Sequence, residues 1–192
     1  MWRFWAILIL TCGAFARTPK LHIKLKNDSP AEQQKKAQIE RLADEYDLKK
    51  FTLTTDILIE EGATPHSKPV LTIGAGYLLN DDRALSVYIH EQGHWVLVDH
   101  RRDLRNLYQD LTRRFPGMPA NPPQGSGSVQ DSYFHLAVIM LEWRGLEEVI
   151  GAERARAVLE FKSTDHYTVL YKTVLANRPA MEGILNRYGI RW

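Results

Sequence analysis

Residues 90–94 read His-Glu-Gln-Gly-His inside an apolar run, with Val87, Tyr88 and Ile89 before it and Trp95, Val96, Leu97 and Val98 after it. Two imidazoles and a carboxyl are costly to bury in such surroundings unless something satisfies them. On a helix, residues four apart stand about 40° apart around the axis, so His90 and His94 project from one face, one turn apart. Placed so, they suit one zinc ion, and Glu91 beside them suits the removal of a proton from a water held there. The chain must therefore build a mostly buried helix and keep one of its faces open to a ligand.

What surrounds this helix follows from pattern. Leu21 to Leu25 alternates apolar and polar residues and reads as a short strand. Ser29-Pro30-Ala31-Glu32 writes a helix start, with Ser29 as N-cap, Pro30 at the first helical position and Glu32 closing a capping box. Ile39, Leu42 and Tyr46 mark that helix's buried stripe, and the Lys, Gln and Glu residues between them a solvated face. Alternation from Phe51 to Glu60 predicts a strand, and Val70 to Ile73 a second one ended by Gly74 and Gly76. Asn80, Asp81 and Asp82 offer N-caps for the motif helix. Leu104 to Phe115 reads as a further helix, and residues 116–128, rich in Pro and Gly, as a loop. Asp131 and Ser132 are placed to cap a helix running to Gly151, and another follows the cluster Asp165-His166-Tyr167.

A catalytic zinc site takes three protein ligands and keeps one position open. His100 lies ten residues beyond His90, but nothing at Leu97 turns the chain back. A continuous helix would carry His100 about 9 Å further along the axis than His94. It is expected near the helix end, as a charged or capping group. Within the apolar helix before Gly151, His135 and Glu142 are the polar groups that need partners. They share a face but lie about 10 Å apart along the axis, so one ion is not expected to take both.

The motif H-E-x-x-H, with uncharged residues at 87, 88, 92, 93 and 95 and a hydrophobic one at 96, resembles that of the zincin metallopeptidases. The resemblance implies an α+β fold, with a small N-terminal mixed sheet beside the metal-binding helix and a helical C-terminal half closing the cleft. It implies one zinc ion per chain, hydrolysis of peptide bonds in a peptide or protein substrate, and Glu91 as general base. In that family an edge strand beside the cleft pairs with extended substrate, a role that falls here to residues 70–73. A glutamate on a downstream helix is the gluzincin arrangement, which sets Glu142 ahead of His135 as third ligand beside His90 and His94. Leu146 stands where thermolysin-like members carry an Asp, which leaves open the carboxylate that orients His90. A late histidine holds the oxyanion in those members, a role matched here by His166, with Tyr167 as the neighbouring donor. The segments H-E-Q-x-H-W, H-L-x-V-x-x-L-E and T-D-H-Y are also similar to those of exported bacterial zincin-like proteins. An alternative from a different class is an exported metal-binding module without catalysis, in which His135 serves as a fourth ligand.

The remaining bounds are broad. With 192 residues the chain is expected to form one domain, residues 17–192, after a signal peptide, residues 1–16. Trp2-Arg3, an apolar run from Phe4 to Cys12 and Ala14-Phe15-Ala16 supply the parts of such a signal. The run is too short to span a bilayer, so no stable membrane anchor is expected after cleavage. Cys12, the single cysteine, would leave with it, which suits a periplasmic or secreted protein without disulfides. A net charge of +2 excludes the strongly basic surface that nucleic-acid binding requires.

Overall fold

The computed structural model describes residues 19–192; the expected signal peptide lies outside them. In order the chain forms β1 (His22–Leu25), α1 (Pro30–Glu45), a 3-10 turn (Lys49–Phe51), β2 (Asp56–Ile59), β3 (Leu71–Ile73), α2 (Asp81–Asp99), α3 (Leu104–Arg114), α4 (Val129–Ile150), α5 (Ala152–Asp165), α6 (Thr168–Ala176) and α7 (Arg178–Arg187). This is a mixed α and β molecule, mostly helical. No helix among the described residues is long and apolar enough to cross a membrane.

The sheet has the order β1-β2-β3. Its strands are all parallel, with Ile23 opposite Ile57 and Ile57 opposite Leu71, and not mixed as expected. Parallel pairing of β1 and β2 needs a crossover, which α1 supplies. Among the described residues, antiparallel pairing is confined to one bridge, His66 to Thr72, where the loop after β2 doubles back along β3. Residues 71–73 thus end the named sheet, but an extended segment around His66 covers their outer side.

The predicted strand over residues 51–60 is shorter than its alternation suggests. Gln92, fully buried in the middle of the motif, accepts from Leu53 N (2.8 Å) and Thr54 N (3.0 Å) and donates to Thr54 O (2.8 Å). A helix side chain thereby satisfies backbone groups that a neighbouring strand would otherwise take. Leu53 is left largely exposed.

Helix α1 departs from the expected solvated face. Glu32, Lys35 and Gln38 are buried and hold α1 to its surroundings. Ser29 caps the helix by accepting from Glu32 N, but the Glu32 carboxylate serves Asn27 N and Glu61 N, so the capping box closes on one side only. Lys35 donates to Gly76 O and to Gln38 Oε1, and Gln38 donates to Tyr77 O, Leu78 O and Asp81 Oδ1. Burial, only partly offset by Asp81, pushes Lys35 down to about 8. These bonds anchor the loop that delivers the chain to α2.

Helices α2 and α4 form the centre of the molecule and make the most extensive helix pair. Gly93 of α2 stands against Val138 and Leu141, within the continuous buried run from Leu136 to Leu141 in α4. The close approach depends on Gly145, where a Cβ would stand 2.7 Å from the Ile89 Cγ2 atom. Trp192 fills the space behind them, donating its indole N–H to Leu141 O (2.7 Å) and standing edge-on to Phe51.

Candidate metal centre

Two helices, each started by its own cap, carry the centre. Asn80 caps α2 by accepting from Arg83 N (3.0 Å), with Asp81 and Asp82 in the first turn, where the helix dipole favours negative charge. The helix runs unbroken through Leu97, as expected. His100 is its C-cap, with ring Nδ1 donating to Val96 O (2.8 Å), and it stands outside the cluster. In α4 the cap is Ser128, accepting from Asp131 N, and not Asp131 or Ser132. Ser132 instead donates to Pro119 O and accepts from Ser126 N, which fixes the loop before the helix.

At their contact α2 and α4 run in opposite directions, so Ser86 and His90 face Glu142 while His90 and His94 face His135. The ring nitrogens of His90, His94 and His135 lie within 4.8 Å of one another. Ring centroids are 5.2 Å apart for His90 and His94, 5.6 Å for His90 and His135, and 4.8 Å for His94 and His135. The order expected for the third group is therefore reversed: His135, not Glu142, joins the pair.

Glu142 lies one step further out, and its oxygens are taken. Its Oε2 accepts from His90 Nδ1 (2.8 Å) and Tyr171 Oη (2.8 Å), and its Oε1 from Ser86 Oγ (2.5 Å), with Lys162 Nζ 3.4 Å away. All are buried. Burial alone would raise this carboxyl, but Lys162, then His90 and Ser86, outweigh it and hold it down at about 2. Glu142 is thus the carboxylate that orients His90, the group that Leu146 could not be.

The tautomers follow from these partners. His90 Nδ1 donates to a carboxylate and His135 Nδ1 to Asp131 O (3.0 Å), so each ring presents Nε2 as a lone pair. Burial pushes His90 down to about 4 against the opposing pull of Glu142, and it lowers His94 and His135 as well. Neutral imidazole is the form a metal requires. The three histidines are close enough to hold one metal ion, and imidazole donors suit zinc, copper, iron or nickel.

Glu91 is 5% exposed and its Oε2 is buried without a hydrogen-bond partner. Burial pushes it up to about 8. It lines a pocket of about 430 Å³ together with His94, His135, Tyr167, the segment 65–68, and apolar side chains including Leu97, Leu104 and Phe134. Tyr167, in the left-handed region at φ 50°, brings its ring to 4.8 Å from that of His135. Burial, then Glu91, pushes its hydroxyl up to about 12. The two expected oxyanion donors therefore part company. His166 is held by Asp165 Oδ2 (2.7 Å), stands edge-on to Tyr171 and is not part of the pocket wall.

Ser86, Lys162 and Tyr171 were not among the expected site residues. Ser86 lies four before His90, one turn back on its face. Lys162 continues the buried stripe Ala155, Val158, Leu159 at the next helical step, so a charge on that stripe was itself the signal. Tyr171 follows Leu170 and precedes Val174, and nothing in the sequence sets it apart from an ordinary core residue.

Comparison of the chain with protein-family models, with curated proteins and with solved structures gave no match in any of the three.

Proposed function

We propose that the protein is a zinc-dependent hydrolase of peptide bonds. The observation that carries this reading is Glu91, a buried carboxyl with an unpartnered oxygen on the wall of an open pocket shared with His94 and His135. A purely structural metal site has no use for such a group, and it takes four protein ligands where a catalytic one takes three. The grouping among the described residues is of three histidines, with the nearby Glu142 spent on His90.

His90, His94 and His135 would hold the ion, with His90 fixed by Glu142 and His135 by the Asp131 carbonyl. Zinc bound there would act as a Lewis acid, polarising a carbonyl and making a water more acidic. A cation beside Glu91 favours its carboxylate form, the form that accepts a proton. Glu91 takes the proton from the attacking water and passes it to the leaving amine. Tyr167, kept protonated, donates to the oxygen that becomes negative.

Glu91→Gln tests the reading, since it preserves shape and removes the base. The variant is expected to keep its metal and lose at least about a hundredfold in hydrolysis of a peptide library. Equal activity in the two proteins, or none in the zinc-loaded wild type, overturns it.

We also propose that the protein is exported, on the sequence of residues 1–16. N-terminal sequencing of periplasmic or secreted material should begin at Arg17, and recovery of the intact chain from membranes would count against export.

A further inference from the structure

Two side chains of opposite charge line the pocket at the centre. Asp131 is beside His135, with Oδ2 3.5 Å from His135 Nδ1. Lys68 belongs to the segment before β3, two residues after the His66 bridge to Thr72. Both residues line the pocket that Glu91 and His94 open into.

Their circumstances differ. Asp131 already has an imidazole beside it. Lys68 is exposed and forms no ion pair among the described residues. Of the carboxyls in the same lining, Glu91 is buried and neither it nor Asp131 forms an ion pair with Lys68. A lysine in open solvent needs no partner, but one set on the lining of a cavity is available to whatever enters. From this arrangement we infer that Lys68 selects ligands with a carboxylate, either an acidic side chain or a free C-terminal carboxylate. The inference rests on the pocket being a peptide-binding one.

Binding can be measured without turnover. The zinc-loaded Glu91→Gln protein would be titrated calorimetrically with four N-acetyl tetrapeptides that differ at one position, Asp or Asn, and at the end, free acid or amide. At least one carboxylate-bearing peptide is expected to bind about tenfold more tightly than the Asn amide, the scale of one charge-assisted contact at a partly exposed site. Gain with Asp alone identifies a side-chain carboxylate, and gain with the free acid alone a C-terminal one. In a Lys68→Met background the difference should vanish, and Lys68→Arg should keep it. A preference unchanged by Lys68→Met, no preference for a carboxylate, or no binding by any of the four overturns the inference. Failure of the hydrolase reading has a different signature: wild-type protein would bind the favoured peptide with this selectivity and leave it uncut.

Discussion

His135 and Glu142 sit two turns apart on one face of α4, and the direction in which α4 crosses α2 decides their roles. The N-terminal end of that face meets His94, and the later part meets Ser86 and His90. Alanine at His90, His94 or His135 is expected to lose most of the bound zinc. Glu142→Gln should retain one ion per chain with affinity weakened by about 10- to 100-fold, the usual effect of losing a ligand's hydrogen-bond partner. Zinc titration of the four variants checks this, and complete loss in Glu142→Gln with retention in His135→Ala would restore Glu142 as the ligand. Acid acts on the same residues. His90 is lowered to about 4, so the folded metal-free protein binds fewer protons than the unfolded chain between its ordinary value near 6.5 and about 4. Glu142, held at about 2 against an ordinary 4.5, contributes stability that is present above 4.5 and lost as pH falls towards 2. Both effects have one sign; Glu91, raised to about 8, opposes them, but the lowered His90, His94 and His135 together outweigh it below about pH 6, so the urea midpoint of the metal-free protein should fall from pH 6 to pH 4. A midpoint independent of pH across that range would show that the histidines are not buried in neutral form.

Between elements, two glycines separate a steric requirement from a mere preference. Gly145 lets α4 approach α2, and a methyl there meets Ile89 at 2.7 Å within a filled core. Gly145→Ala should cost about 1–3 kcal/mol, as overpacking does, and weaken zinc binding by displacing His135 and Glu142 together. Gly93 lies within the motif itself, yet its methyl would meet Val138, Leu141 and Trp192 at 3.5 to 3.7 Å, ordinary contact distances. Gly93→Ala should be neutral or stabilise by up to about 1 kcal/mol through helix propensity. Urea unfolding of the two variants tests the contrast, which fails if Gly145→Ala is the milder change. The elements themselves were largely legible. Ser29 and Pro30 start α1, α3 spans Leu104–Arg114, and α2 continues past Leu97 to His100, all as the sequence indicated. What misled was polarity used for long-range bonding. Gln38 and Lys35 look like surface residues in α1, and Gln92 gives no sign that it holds the chain ahead of β2.

Over the whole molecule, the α+β class and the helical C-terminal half follow from the sequence, because they rest on local periodicity. The parallel sheet and the identity of the third histidine do not, because both depend on contacts between distant segments. His90 and His94 are one turn apart and could be read together. His135 becomes their neighbour only through the crossing of α2 and α4, which no local pattern records. Asp165-His166-Tyr167 was legible as a cluster, yet only the left-handed backbone at Tyr167 decides which ring faces the centre. That dispersal along the chain also matters during synthesis. A polypeptide leaves the ribosome N-terminus first, so His90 and His94 emerge while His135, the Glu142 that orients His90, and the Tyr171 that bonds Glu142 are still unmade. A nascent chain with the first pair alone has two of the three histidines, with no carboxylate yet to orient His90. The three-histidine cluster waits for α4 and the bond that Tyr171 gives Glu142 waits for α6, so the finished centre exists only once translation has passed both helices.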